Sequence, residues 1–148
     1  MVSAYIEQSQ QLPLELAARV TGLPATLLRK LVRDGVLPGE APFRVQGVLG
    51  ICDLEKAQVI ARQLEASRVA VNDKSIRPAE AAERYGFSRD TVYTWLKKGW
   101  IRQQGTEDGG DLLVNEGDIA FARALADLSG QKQGKPVFPH GDGPYRTA

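Results

Sequence analysis

The chain contains an internal repeat, in which residues of the same character recur 64 positions apart. In each copy two alanines come first, a glycine follows, and apolar residues then lead to a second glycine. A repeat of this length indicates two copies of one small helical module. The matching residues are Ala17, Ala18, Gly22, Leu23, Leu28, Leu31 and Gly35 in the first copy and Ala81, Ala82, Gly86, Phe87, Val92, Trp95 and Gly99 in the second.

Length and composition agree with two small domains of a globular protein. The chain has 148 residues, of which 43% are hydrophobic and 25% are charged. Each domain lies near the lower size limit for independent folding, so we expect mutual packing or dimerisation to add stability. No signal peptide and no apolar run long enough to cross a bilayer is visible, and a cytoplasmic, nucleoid-associated protein is expected.

The first copy, 12–66, is predicted to hold two short helices, a hairpin and a longer helix. The second helix begins near Pro24 and ends at Gly35, a residue that can adopt the left-handed cap conformation. Apolar pieces between glycines and prolines predict a hairpin within 38–50. Asp53 is the expected N-cap of the longer helix.

The second copy, 76–129, is predicted to repeat this order. Its expected elements are a helix over 78–85, a second helix from the N-cap Ser88 to Gly99, a hairpin over 101–114 and a final helix capped by Asp118. The remaining segments are a polar stretch over 1–11, a short connector over 67–75 and a tail over 130–148. Because the tail is rich in Gly and Pro and poor in apolar residues, we expect it to be flexible.

Two helices joined by a short turn with a glycine are typical of a helix-turn-helix, whose second helix enters the DNA major groove. The outward face of that second helix should then carry the DNA contacts. In the first copy this face holds Thr26, Arg29, Lys30 and Arg33, and in the second it holds Arg89, Asp90, Tyr93, Thr94 and Lys97, with Lys98 and Arg102 beside it.

The string PAEAAERYGFSRDTVYTWLKKGWI, from Pro78 to Ile101, is close to the pattern EAA..LGVS..TVYRWI..G.I. In this string the second copy resembles the MerR/excisionase-like winged helix-turn-helix family, and the first copy resembles a diverged version. The resemblance implies a mostly α fold with small β-hairpin wings, in two tandem modules. It also implies that Ser88 caps the recognition helix at the DNA and that Trp95 lies in the core.

The two predicted wings differ in charge. The tip of the second hairpin is acidic, with Glu107, Asp108 and Asp111, and like-charge repulsion disfavours its approach to DNA. We therefore expect this wing to face a protein or solvent. In the first hairpin Arg44, beside Gln46, is the better candidate for a contact with the DNA backbone, and an exposed turn is the alternative.

The sequence thus predicts a sequence-specific binder of double-stranded DNA, such as a small bacterial or phage transcription regulator or an excisionase-like recombination accessory factor. Two recognition helices would read half-sites roughly 34 Å apart. A second copy of the chain, a recombinase or a polymerase component is a further expected partner, and no membrane partner is expected.

The counts of cysteine and histidine argue against some other classes of function, and two alternatives stay open. Cys52 is the only cysteine and His140 the only histidine, so neither an enzyme nor a metal or other cofactor is expected. The net charge of only +1 keeps a protein-interaction adaptor on the same scaffold open as an alternative. A phage packaging or plasmid partition factor that recognises DNA is another alternative.

Overall fold

The computed structural model describes residues 11–37, 48–107, 109–130 and 136–146, and of 11–15 and 48–54 it describes only the backbone. The chain divides into two compact units, Met1–Gln63 and Leu64–Ala148. The described part is mostly helical and carries small antiparallel sheets. None of its helices is both long enough and apolar enough to cross a membrane.

The described part of the first unit contains one short antiparallel strand pair and three helical segments. Its elements are β1 (Gln11–Pro13), α1 (Leu14–Thr21), α2 (Ala25–Arg33), β2 (Val48–Gly50) and α3 (Ile51–Ala70), and the boundary between the units falls within α3. β1 pairs with β2, with Leu12 opposite Leu49. The inner face of α2 buries Leu27, Leu28 and Leu31 almost completely, as the helical spacing of these residues predicts.

The second unit repeats the order of the elements described in the first unit, with two described strands before its last helix. Its elements are β3 (Ser75–Ile76), α4 (Pro78–Tyr85), α5 (Arg89–Lys98), β4 (Gln103–Thr106), β5 (Leu112–Asn115) and α6 (Glu116–Ser129), with sheet order β3-β5-β4. Ala81 and Ala82 of α4 are buried together with Val92 and Trp95 of α5. Small side chains on α4 allow the two helices to approach closely.

The sequence repeat is also present in the secondary structure. Gln11 and Ser75, which begin β1 and β3, lie 64 residues apart, and so do Ala25 and Arg89, which begin α2 and α5. The turns between the short helices use equivalent glycines, because Gly22 and Gly86 have φ angles of 78° and 75°. Other residues adopt this left-handed conformation only at a cost, so glycine at these positions is a requirement of the turn.

Several predicted boundaries are wrong. Residues 67–70 belong to α3 rather than to a connector, and Ser75 and Ile76 form a strand. α3 starts at Ile51, before the predicted N-cap Asp53. α6 starts at Glu116, so Asp118 lies inside its first turn and is not the N-cap.

Asp118 has a different structural role from the predicted cap. Its side chain is almost fully buried and accepts hydrogen bonds from the backbone N–H of Arg102, at 2.7 Å, and from the guanidinium of the same residue, at 3.0 Å. Arg68 Nε lies 3.3 Å from Asp118 Oδ1, the oxygen that also accepts from Arg102 Nη2. A buried carboxylate is stable only when it is paired in this way. Asp118 therefore links the end of α3 and the start of β4 to α6.

The prediction of a flexible tail is wrong for residues 136–146, which we call the C-terminal segment. Val137 and Phe138 are buried, and the Phe138 ring stacks on Trp100 at 4.9 Å and meets the edge of Trp95 at 5.2 Å. Composition is a poor guide here, because two apolar side chains suffice to anchor a segment when the module offers an aromatic surface to receive them.

Backbone hydrogen bonds hold the C-terminal segment against the end of α5. Gly143 N–H donates to the carbonyl oxygen of Lys98 at 2.8 Å, and Tyr145 N–H donates to that of Gly99 at 2.9 Å. A Cβ at Gly143 would lie only 2.5 Å from the Gly99 oxygen, so glycine alone fits this approach. The Trp100 indole N–H also donates to the carbonyl of Gly141, at 3.2 Å.

Some sequence predictions concern residues outside the described ranges. These are most of the hairpin over 38–50, including Arg44 and Gln46, most of the polar stretch over 1–11, and Asp108 at the tip of the second hairpin. Gln11, the last residue of the polar stretch, is part of β1.

Truncating Phe138 tests the packing of the C-terminal segment. We expect Phe138→Ala to lower the free energy of unfolding by about 3 kcal/mol or more, because it removes a buried ring from between two tryptophans. Tyr93→Ala, which truncates an exposed ring on α5, should change the unfolding free energy by about 0.5 kcal/mol or less. Urea unfolding followed by tryptophan fluorescence measures both, and equal small effects would show that the segment does not pack as described.

Candidate nucleic-acid interface

The sequence specifies both ends of α5. Ser88 Oγ accepts a hydrogen bond from the backbone N–H of Thr91 at 3.1 Å, which satisfies one of the free donors of the first turn. At the other end Gly99 adopts the left-handed conformation and its N–H bonds to Leu96 and Trp95. The predicted cap at Ser88 and the predicted end at Gly99 are confirmed, and hydrogen bonds define both ends of α5.

The burial of Trp95 determines which face of α5 is turned outward. Its ring lies between Phe87, at 4.8 Å, and Phe138, at 5.2 Å, and its side chain is 5% exposed. The opposite face carries Arg89, Tyr93 and Lys97, each four residues from the next and each exposed. This spacing places the three side chains in one stripe along the helix.

The other predicted residues of α5 lie around this stripe. Asp90 and Thr94 are exposed, and the Thr94 hydroxyl donates to the carbonyl oxygen of Asp90 at 2.9 Å. The Arg89 guanidinium lies 5.9 Å from the centre of the Tyr93 ring, within cation–π distance. Lys98 is half-buried beside the C-terminal segment and lies at the edge of the face.

The cations of α5 form no ion pair, whereas the described arginines elsewhere in the second unit do. Among the described residues, Arg89, Lys97 and Lys98 form no ion pair, and Lys74 before β3 shares this property. The arginines elsewhere in the unit are all paired with acids. The pairs are Arg68 with Glu65 and Asp118, Arg77 with Glu107, Arg84 with Glu80 and Glu116, Arg102 with Asp118, Arg123 with Asp127, and Arg146 with Asp142.

The acidic tip of the second hairpin is bound to an arginine. Both Nε and Nη2 of Arg77 donate to one Glu107 oxygen, at 3.1 and 2.6 Å, and Asp111 lies 3.9 Å from Nη2. This hydrogen bonding raises the pKa of Arg77 and lowers the pKa of Glu107. Part of the negative charge expected to repel DNA is therefore neutralised within the unit.

A second cluster joins α4 to α6. The buried carboxylate of Glu116 accepts hydrogen bonds from the Tyr85 hydroxyl at 2.6 Å and from Arg84 at 3.0 Å. Burial opposes ionisation of Glu116, but these two hydrogen bonds and the charge of Arg84 lower its pKa below the ordinary value. Burial, and next the hydrogen bond to Glu116, raise the pKa of Tyr85 to about 12.

The first unit presents a smaller basic face. Thr26, Arg29 and Arg33 are exposed on α2, and neither arginine forms an ion pair within the described ranges. The N-cap Pro24 makes no side-chain hydrogen bond to the first turn. α2 is therefore less firmly capped than α5.

The prediction that Lys30 lies on the outward face is wrong. Lys30 is only 8% exposed, and its Nζ lies 2.5 Å from the carboxylate of Asp34, four residues further along the chain. Position 30 falls between the buried Leu28 and Leu31, on the inner side of α2. An amphipathic lysine can occupy such a position when an acid neutralises its amine.

Sequence reasoning missed two residues beside this surface. Tyr145 and Arg146, from the supposedly flexible tail, line a cavity together with Lys97 of α5. The only signal in the sequence was the apolar pair Val137-Phe138, which lies between two prolines in an otherwise polar stretch.

The chain was also compared with known proteins, and no family model, curated protein or solved structure matches it. Over the described ranges, no group of three or more His, Cys, Asp or Glu side chains is arranged to hold a metal ion. The interpretation of the surface therefore depends on its own geometry and charge.

The raised pKa of Tyr85 can be tested by an absorbance titration. A phenol whose folded pKa is raised from 10 to about 12 stabilises the fold fully below pH 10 and loses this contribution as pH rises towards 12. We expect Tyr85→Phe to remove one phenol that ionises near pH 12 in the folded protein. Tyr93→Phe, at an exposed position, should keep that late component, and identical curves for both variants would contradict the assignment.

Proposed function

We propose that this chain is a sequence-specific double-stranded DNA-binding protein composed of two winged helix-turn-helix modules, in which α5 enters the major groove. The observation that supports this most strongly is the distribution of charge partners. Arg89 and Lys97 lie in one exposed stripe of α5, and neither forms an ion pair within the described part of the unit. The arginines elsewhere in the unit are paired with acids. Cations without internal partners are available to an external polyanion.

The two ends of α5 suit different kinds of contact. In helix-turn-helix proteins the N-terminal residues of the recognition helix meet the base edges, and this is where Arg89 lies. An arginine there can form two hydrogen bonds to guanine, a contact that discriminates between bases. Lys97 and Lys98, near the other end, are suited to phosphates, which supply affinity without sequence information.

The number of available cations leads to a measurable salt dependence. Two phosphate contacts from α5, made by Lys97 and Lys98, correspond to a slope of about −1.8 in a plot of log affinity against log salt concentration. Arg29 and Arg33 of α2 can add to this slope if the first unit also binds. We assign α2 the smaller part in recognising the DNA sequence, because its N-terminus lacks a side-chain cap.

Two roles named from the sequence, transcription regulation and recombination accessory function, both use this binding step. The adaptor alternative is based on the net charge of only +1 and on the negative charge of the second wing. The ion pair between Arg77 and Glu107 offsets part of that charge, which reduces the support for the alternative.

Alanine substitution on α5 tests the proposed function. We expect Arg89→Ala combined with Lys97→Ala to weaken binding to random duplex DNA at least tenfold at low salt and to make the salt slope shallower by about 0.9, because only Lys97 is assigned to a phosphate. The matched control is Arg123→Ala, which removes an arginine of α6 that forms an ion pair with Asp127. Binding measured by fluorescence anisotropy should change little in this control.

Two results would contradict the proposed function. One is wild-type binding that does not weaken as salt is added. The other is an equal loss of affinity in the Arg123→Ala control, which would indicate a general charge effect. Thermal unfolding of each variant distinguishes lost contacts from lost structure.

A further inference from the structure

The C-terminal segment and α5 border a cavity of about 450 Å³ that is open to the surface. The end of α5 forms one wall, the first strand of the hairpin forms another, and the C-terminal segment forms the third. The residues that matter for its chemistry are Lys97, Arg102, Gln104, Tyr145 and Arg146. Lys97 belongs to the outward stripe of α5, so the cavity continues that surface.

Three cationic side chains line this cavity, and they differ in how firmly an acid of the protein holds them. Arg102 is held by the buried carboxylate of Asp118, and its guanidinium lies 4.9 Å from the Tyr145 ring centre. Lys97 has no ion pair in the described part of the second unit. Arg146 pairs with Asp142 four residues earlier, but both side chains are more than half exposed, at 53% and 55%. Such exposed pairs contribute little and exchange readily for another anion.

The end of a helix normally repels anions, because its last carbonyl groups carry partial negative charge. Here the C-terminal segment covers that end. The carbonyl oxygens of Lys98 and Gly99 accept the N–H groups of Gly143 and Tyr145, and those of Trp95 and Leu96 are bonded within the cap. The covered carbonyls therefore contribute less repulsion, and the side-chain cations dominate the cavity.

We propose that this cavity binds a phosphate of the DNA backbone. The C-terminal segment then forms part of the surface that contacts DNA. The inference rests on the proposed function of α5 and extends it to residues outside the helix-turn-helix. The cavity offers cations and neutral hydrogen-bonding groups, and a phosphodiester matches this set because it is a compact anion that accepts several hydrogen bonds. Arg146 and Lys97 are the expected direct contacts, and Arg102 positions the Tyr145 ring.

Substitution of Arg146 tests the proposal in the full chain. We expect Arg146→Ala to lower the affinity for duplex DNA about threefold to tenfold at low salt and to make the salt slope shallower by about 0.9, the value for one phosphate contact. Arg146→Lys should restore most of the slope, because it keeps the charge. Arg123→Ala is the matched control, since it also removes one arginine from an i,i+4 pair and should leave the slope unchanged.

The outcomes separate this inference from the proposed function. Salt-dependent binding by the wild type, with an unchanged slope in Arg146→Ala, would overturn the inference and leave the proposed function standing. Absence of DNA binding by the wild type would overturn both.

A titration with inorganic phosphate distinguishes the backbone from a free anion as the source of the phosphate group. Amide signals of Tyr145 and Arg146 should shift in NMR spectra with micromolar duplex and stay in place with millimolar inorganic phosphate at constant ionic strength. Saturable shifts with sub-millimolar inorganic phosphate would identify a site for a small anion and overturn the inference.

Discussion

The surface that the second unit offers to a ligand depends on the burial of Trp95. Because this ring is held between Phe87 and Phe138, α5 has one fixed rotation about its axis, and the stripe with Arg89 and Lys97 must face outward. Phe138 comes from the C-terminal segment, forty residues after the last residue of the helix it supports. The core that orients α5 is therefore completed by the part of the chain whose composition least resembles a core.

Electrostatic pairing separates structural cations from available ones. Asp118 and Glu116 are buried in α6 and engage Arg102 and Arg84, and the half-buried Glu107 near the hairpin tip engages Arg77. Each of these ion pairs joins elements that are distant in sequence, and each removes one positive charge from the surface. The cations that remain without partners in the described second unit are mostly on α5. A net charge near zero is thus compatible with a basic binding face, because the neutralising acids are concentrated elsewhere.

Local signals in the sequence predicted the second unit well. Ser88, Gly86 and Gly99 determine the bounds of α4 and α5 through caps and left-handed turns, which depend on neighbouring residues only. The predictions failed where a charged partner or a distant contact decides. Lys30 is buried because Asp34 neutralises it, Asp118 is a buried anchor for Arg102 rather than a cap, and the C-terminal segment packs because the aromatic rings of the module receive Phe138.

The central claim, that the outward face of α5 binds DNA, can be tested directly by an NMR titration. A ¹⁵N-labelled sample of the full chain is mixed with a random duplex at low salt, and the change of each amide signal is recorded. We expect the signals of Arg89, Tyr93 and Lys97 to shift most, while those of Arg123 and Asp127 on α6 stay in place. Shifts confined to α6, or no shift along α5 at saturating duplex, would contradict this claim.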